Sequence, residues 1–352
     1  MPAADSPKVR WGVIGCGQIA YDKAMPGTAM AGNAELVALA DSDPARVERA
    51  QKAYPQARAY GKVEDLLADA AVQAVYVATP NYLHAPETIA AAKAGKHVLV
   101  EKPMAMSAAD GREMVAAAER AGVKLMVAYM TLFNPAYEAA KRAVDAALIG
   151  EVVFARGRHS YVIAPERVSS AAAWRLDPVQ GGGPLMDIAL YPTITLRELT
   201  GQRIKSLSAT GTTQVLHGRT NWDSVVFTFL LEDGTPGIIE GCFTHGSSLI
   251  ELEGTRGRLA LSGHFTQACV GHLELTVRHP SQRQVGERAT HELVPEGIPH
   301  FYNYLREIEH FSQCILDDAE PLAVGRKAVA ELVVADAVQE SIRSGRRVEI
   351  EW

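Results

Sequence analysis

Through the first third of the chain, short apolar runs that break off in polar residues alternate with stretches of helical spacing. Val9 to Ile14, Glu35 to Ala40, Val72 to Ala78, His97 to Val100 and Val123 to Ala128 read as buried strands. Asp43 to Tyr54, Lys62 to Ala70, Pro86 to Ala94 and Ala108 to Ala121 read as helices, the last two stopped by Gly95 and Gly122. Strand and helix in alternation predict an α/β fold with a doubly wound parallel sheet. Ligands of such sheets bind beyond the carboxyl ends of the strands. Two of those ends carry dense polar sequence, Thr79-Pro80-Asn81-Tyr82-Leu83-His84 and Glu101-Lys102-Pro103.

The pattern then changes. After a helix from Pro135 to Ile149, stopped by Gly150, polar and apolar residues alternate along Val152 to Ser160, Ile204 to Thr213 and Trp222 to Leu231, and the alternation continues from Gly234 to Ser262. Turns such as Glu232-Asp233-Gly234 separate these segments, which predicts a large, mostly antiparallel open sheet. Helices must cover one face, and the other is free to pair with a second subunit. Ser281 to Glu296 is expected to be a surface loop, and His300 to Leu316 and Val329 to Ser344 to be helices, with Gly345 closing the second. The expected division is a doubly wound α/β domain at residues 1–128 and an α+β domain at 129–352.

A chain of 352 residues suits two domains, and 47% hydrophobic with 22% charged residues is ordinary for a globular protein. Net charge is -6 with no basic stripe, so nucleic acid and anionic membrane surfaces are poor partners and a small diffusing ligand is the better one. Cys16, Cys242, Cys269 and Cys314 lie far apart, which argues against a zinc cluster or a disulfide framework. His159, His245 and His264 lack ligand spacing, so no metal is expected. Met1 to Lys8 has no apolar signal-peptide core and no run is long enough to span a membrane, so the expected location is the cytoplasm.

Candidate chemistry starts at Gly15-Cys16-Gly17-Gln18-Ile19-Ala20, a G-x-G-x-x-A turn from the first strand into a helix. The first glycine permits the turn, the second lets main chain approach a pyrophosphate, and the small third residue lets helix and strand pack. The helix start offers N–H groups and partial positive charge to phosphate. Asp41, about 20 residues on, is placed to accept the ribose hydroxyls of NAD. Asp41-Ser42-Asp43-Pro44 is equally a good helix start, and Arg46 leaves room for the 2'-phosphate of NADP. Lys102 at a strand end can donate to a substrate oxygen, or it can be a solvated surface lysine. His84 reads alone as a helix-start histidine with a local hydrogen bond.

A second motif runs from Trp174-Arg175-Leu176-Asp177 to Gly181-Gly182-Gly183-Pro184-Leu185-Met186-Asp187-Ile188-Ala189-Leu190-Tyr191. Helical spacing after the glycines puts Asp187 and Tyr191 four apart on one face. The alternative is a first-turn acid favoured by the helix dipole and a core aromatic with its hydroxyl at the rim.

These residues together resemble the Gfo/Idh/MocA family, named for glucose-fructose oxidoreductase and inositol dehydrogenase. The resemblance is carried by Gly15-x-Gly17-x-x-Ala20, Thr79-Pro80-Asn81-x-x-His84, Ala94-Gly95-Lys96-His97 and Glu101-Lys102-Pro103. It implies an N-terminal Rossmann domain holding NAD or NADP, NAD favoured, through Gly15, Gly17, Gln18, Ile19, Asp41, Ser42 and Arg46. The nicotinamide end would lie along Thr79, Pro80, Asn81, His84, Glu101 and Lys102, with Trp174 and Arg175 contributing from the second domain. Lys102, Asp187 and Tyr191 fall at the family's catalytic positions.

The departures are informative. Tyr191 stands where many members have histidine, as in the glucose-fructose branch and relatives acting on pyranose sugars or dihydrodiols. Ala189 replaces a glycine, and Leu132 an arginine whose role cannot be carried over. The expected activity is NAD(P)-dependent hydride transfer to or from a secondary alcohol, hemiacetal or ketone of a sugar or polyol, by a homodimer or homotetramer joined through the C-terminal sheet. Tyr161, Arg167 and Trp174 are expected to influence substrate choice. The alternatives are a sugar-sugar oxidoreductase that keeps its cofactor bound and a non-catalytic dinucleotide-binding regulator.

Overall fold

The computed structural model describes residues 7–164, 170–218, 220–267, 269–277, 288–292 and 298–352. These form two compact units, Met1–Met130 with Pro299–Leu332, and Thr131–Ile298 with Val333–Trp352.

The first unit is built on six parallel strands, β1 (Val9–Ile14), β2 (Ala34–Ala40), β3 (Arg58–Tyr60), β4 (Ala74–Val77), β5 (His97–Glu101) and β6 (Leu125–Ala128). Their order is β3-β2-β1-β4-β5-β6, so the chain reverses direction across the sheet between β1 and β4. The crossovers are α1 (Met25–Met30), α2 (Pro44–Ala53), α3 (Val63–Ala68), α4 (Asn81–Lys93) and α5 (Ala108–Ala121). Every residue of β4 and β6 is buried, which is why these strands read as unbroken apolar runs rather than alternations.

Two features depart from the pattern. The edge strand β3, Arg58-Ala59-Tyr60, is too short to show a period. Helix α4 starts at Asn81 rather than Pro86; that proline lies one turn inside, where it removes a single ladder bond.

The second unit carries α6 (Pro135–Asp145), β7 (Val152–Ser160), α7 (Leu190–Thr200), β8 (Ile204–Thr212), β9 (Ser224–Leu231), β10 (Pro236–Cys242), β11 (Ser247–Gly254), β12 (Gly257–Ser262), β13 (His272–Val277) and β14 (Arg288–Glu292). It also holds the end of a helix that begins in the first unit, and a final short strand. With that final strand, β15 (Val348–Glu349), these make a nine-stranded sheet, β14-β13-β12-β11-β7-β10-β9-β8-β15, antiparallel except where β7 meets β10. Strand β14 corrects the expectation of a loop over 281–296: Arg288–Glu292 pairs with β13, an alternation hidden by its polar side chains. The remainder of that stretch lies outside the described residues.

Helix α7 sits on this sheet where side chains are missing. A Cβ on Gly157 of β7 would come within 2.6 Å of Pro192, and one on Gly241 of β10 within 2.8 Å of the Ala189 methyl. The added methyl of Ala189 is thus met by a glycine opposite.

The expected single cut after residue 128 misses a return of the chain. The amphipathic helix α8 (Tyr302–Leu316) needs a sheet for its apolar face and finds it in the first unit. Trp11 of β1, fully buried, lies 5.8 Å from the Phe311 ring and donates its indole N–H to Ser312 Oγ at 3.0 Å. Helix α9 (Gly325–Ser344) runs from the first unit into the second, and β15 (Val348–Glu349) ends the sheet against β8. Among the described residues no helix is long and apolar enough to cross a membrane.

Candidate active site

At the carboxyl ends of β1, β4 and β5, neighbours in the first sheet, main chain does most of the shaping. Gly15 takes a left-handed φ of 88°, and a Cβ there would lie 2.8 Å from the Ala78 carbonyl oxygen, so the turn tolerates glycine alone. Around Gly17, in contrast, no atom lies within 4 Å of a Cβ position. A strained glycine beside an open one is the cradle a pyrophosphate fits. The chain then enters its helix through a wide turn, Ala20–Ala24, bonded five residues apart.

Asp41 is buried at the end of β2 and serves the same turn. Its Oδ2 accepts the Cys16 N–H at 2.7 Å and its Oδ1 the Asp43 N–H at 2.8 Å. Asp43, not Asp41, caps α2 by accepting from Ala45. Arg46 lies 3.8 Å from Asp41 and 3.4 Å from Asp43. Arg49, stacked 4.1 Å over Tyr21, donates to the Cys16 carbonyl at 3.2 Å. Burial, reinforced by Asp41, pushes the Cys16 thiol up to about 12, so it stays protonated.

The structure places His84, expected at the nicotinamide end, between two main-chain carbonyl groups. Its Nδ1 lies 2.7 Å from the Pro103 carbonyl oxygen and its Nε2 2.8 Å from that of Thr79. Burial holds the ring below its ordinary value, so it is neutral at pH 7 and donates to one carbonyl at a time. The ring braces two strand ends against each other. Glu101 is similarly spent, with Oε1 accepting from Tyr76 at 2.8 Å and Oε2 from the Lys102 N–H at 3.1 Å. That leaves the half-buried Lys102 side chain as the chemical group of this strand end. Thr79 Oγ1 donates to Glu87 Oε2 at 2.5 Å. Burial lifts the Glu87 carboxyl to about 7, nearby Asp41 and Glu64 adding to it against the Thr79 hydrogen bond.

In the second unit the site is made of side chains. Gly181 and Gly183 take φ of 84° and 106°, and a Cβ on Gly182 would lie 2.6 Å from the Arg175 carbonyl oxygen. These glycines fold the chain tightly under Trp174 and Arg175. A second wide turn, Leu185–Ala189, follows and carries Asp187. The one-face argument from four-residue spacing assumed a regular helix, so it is not what relates Asp187 to Tyr191. Each has its own setting. Asp187 is buried, with Oδ2 accepting the Tyr161 hydroxyl at 2.6 Å and lying 3.8 Å from Arg175 Nε. Arg175 in turn stacks 4.6 Å over the Trp174 ring. The Tyr191 ring meets His159 edge-on at 5.3 Å and Phe265 at 5.8 Å.

Sequence reasoning passed over His159 and Phe265 and did not connect Tyr161 with Asp187. The signal was the period of β7: Ala155 and Gly157 face α7, and the same parity continues through His159 to Tyr161. Trp174 and Arg175, expected at the cofactor, lie beside Asp187 in their own unit. Arg167 lies outside the described residues. Gln18 is exposed and Ile19 half-buried where the first helix starts.

Residues 9–129 match the model of the oxidoreductase family with an NAD-binding Rossmann fold, and residues 137–260 that of the GFO/IDH/MocA C-terminal domain. A 1,5-anhydro-D-fructose reductase of Ensifer adhaerens is 31% identical over 97% of this chain and 98% of its own. A trans-1,2-dihydrobenzene-1,2-diol dehydrogenase of Mus musculus is 30% identical over 95% and 96%. Among solved structures, aldose-aldose oxidoreductase from Caulobacter crescentus, complexed with glycerol, superposes with a TM-score of 0.86 at 28% identity, covering 97% of this chain and 100% of that one. The chain belongs to the Gfo/Idh/MocA family of oxidoreductases.

Proposed function

We propose that this oxidoreductase moves hydride between a nicotinamide dinucleotide and a secondary alcohol, hemiacetal or ketone carbon of a sugar or polyol. The observation that carries the reading is the pairing, in one family member, of the open glycine cradle at Gly15 and Gly17 with a buried carboxylate and phenol, Asp187 and Tyr191. The relatives named above support a sugar or a diol as substrate.

Main chain at Gly15, Gly17, Gln18 and Ile19 would hold the pyrophosphate, Asp41 and Ser42 the adenosine ribose, and Thr79, Pro80, Asn81 and Lys102 the nicotinamide end. When bound, the nicotinamide supplies or accepts the hydride. NAD is favoured: a 2'-phosphate would meet the Asp41 carboxylate, and Arg46 already faces Asp41 and Asp43.

The substrate oxygen needs a group that gives or takes a proton as its carbon changes oxidation state. Tyr191 and Lys102, which fall at the family's catalytic positions, are assigned that role. Asp187 orients the sugar hydroxyls. Tyr161 is excluded as the base, because burial and then the adjacent Asp187 hold its phenol far above the ordinary range.

A panel of aldoses, cyclitols and keto-sugars, including D-xylose and 1,5-anhydro-D-fructose, tests the reading with NAD(H) and NADP(H) by absorbance. Turnover by the wild type, with Tyr191→Phe and Lys102→Ala each lowering kcat by about 100- to 10,000-fold and Tyr191→Phe leaving NADH affinity unchanged, is the expected result. Wild-type rates in both variants overturn the roles, and no turnover of any panel member overturns the reading. Tighter binding of NADP than of NAD would reverse the cofactor preference. A purified protein already absorbing in the reduced-nicotinamide band would instead favour sugar-sugar transfer with retained cofactor. Retention of Lys102, Asp187 and Tyr191 argues against a purely regulatory role. We also read the face of the nine-stranded sheet that α7 leaves uncovered as the self-association surface of a dimer or tetramer, to be checked by light scattering. The four free, buried thiols fit a reducing compartment such as the cytoplasm.

A further inference from the structure

Two phenols stand near Asp187, and they differ in kind. Tyr191 packs on the rings of His159 and Phe265, and Tyr161 donates directly to the acid. Tyr161 follows the last residue of β7, and its N–H donates to the Cys242 carbonyl at 3.1 Å, which fixes its backbone against β10. Its ring lies 5.3 Å from Phe243 and packs on the apolar cluster of Ile163, Leu176, Ile188, Leu216 and Phe243. The hydroxyl has little freedom left and points at Asp187 Oδ2, 2.6 Å away.

We infer that Tyr161 is a positioning residue of the reaction, whose hydroxyl donates to the Asp187 carboxylate and fixes both its charge and the direction in which it presents itself to the substrate. The inference rests on the roles proposed above for Asp187 and Tyr191. A donor that does not ionise is what this position requires, and Tyr161 is such a donor: burial, then Asp187, raise its phenol. Arg175 approaches the same oxygen at 3.8 Å from the turn preceding the glycines. The other titratable groups near the Tyr161 phenol are Tyr191 on α7 and His159 on β7, whose ring centre is 6.4 Å from that of Tyr161.

A hydrogen bond to a charged group held this way corresponds to about 10- to 100-fold in an equilibrium or rate. Tyr161→Phe keeps the ring and its packing and removes only the hydroxyl. On the panel sugar turned over fastest, the variant should lose about 10- to 100-fold in kcat/KM while NADH binding and melting temperature stay close to wild type. Without its donor the carboxylate takes up a proton more readily, so the acid limb of the kcat/KM profile should move to higher pH by roughly one unit.

A double-mutant cycle separates positioning from packing. In an Asp187→Asn background, Tyr161→Phe should add little further loss, because the charge it served is gone. The same loss in both backgrounds, or a variant with wild-type rates and an unmoved acid limb, overturns the inference while leaving the Tyr191 and Lys102 assignments intact. If the wild type reduces or oxidises no panel sugar, the functional reading itself fails and this one with it.

Discussion

The first unit prepares its ligand side from main chain and the second from side chains. Around Gly15 the groups that matter are a left-handed turn, a carbonyl that forbids a Cβ and two strand ends tied by His84. Even Asp41 spends both its oxygens on backbone N–H groups, and Glu101 one of its two. Around Asp187 the groups are a phenol, a guanidinium and a wall of rings from separate segments. A main-chain site can be kept through wide changes of sequence provided the backbone is kept, which suits a cofactor that does not vary. A side-chain site changes whenever one of its residues does, which suits a substrate that does.

The contrast is most exposed to a backbone change in the first unit. Gly15→Val forces an L-residue to φ near 88° and drives its Cβ against the Ala78 carbonyl. The conformational cost alone is about 2 kcal/mol, so NADH affinity measured by fluorescence should fall at least about 30-fold. Affinity within a factor of two of wild type would mean the turn does not shape the cofactor site.

Next comes the brace. His84→Leu retains bulk but leaves the Thr79 and Pro103 carbonyls without the ring, a loss of about 2 kcal/mol in stability with weaker cofactor binding. Should cofactor affinity drop with no loss of stability in urea, the ring contacts the ligand directly and the brace is misread.

The second unit has one main-chain device of its own. Asp223, fully buried, accepts the N–H groups of Gln214, Val215 and Leu216 on one oxygen at 2.9, 2.6 and 3.0 Å, carrying Leu216 into the cluster behind Tyr161. Burial raises its carboxyl, but these donors and Ser224 outweigh that and hold it below the ordinary range. Its stabilisation is therefore complete above the unfolded value of about 3.9 and fades as pH falls through the lower folded one. Asp223→Asn should cost about 2 kcal/mol at pH 7 and progressively less in strong acid. A gap in denaturation midpoint that stays constant down to pH 2 would contradict this.

The smallest effect concerns Glu87. A carboxyl raised to about 7 in the fold is protonated there more readily than in the unfolded chain, so wild-type stability declines as pH rises from about 4.3 towards 7. Glu87→Gln avoids that decline. Its melting temperature should exceed wild type at pH 8 and match it near pH 4, and a difference equal at both values would remove the titration from the account.

The same division explains what could be read without coordinates. The glycine turn, the strand ends at Thr79 and Lys102 and the stops at Gly95 and Gly122 are local, and a few adjacent residues carry each of them. Tyr161 and Asp187 lie 26 positions apart and meet only because Gly157 and Gly241 let α7 settle on the sheet. The wide turn at Leu185–Ala189 has no distinctive composition, so helical spacing was applied where the bonding is different. β14 was hidden by polar residues, and β3 by its length. No local pattern shows that Tyr302–Leu316 belongs to the first sheet, because its apolar stripe specifies burial without naming the partner.

That last helix bears on how the protein emerges from the ribosome. When the sixth strand has been made, Trp11 still lacks Phe311 and Ser312, which are more than 170 residues away in the transcript's order. At 5–20 residues per second the nascent first sheet waits roughly 10–40 s with the Trp11 indole uncovered. Translation speed and chaperone supply during that interval, more than the intrinsic folding rate of either half, should govern the yield of native protein in a heterologous host.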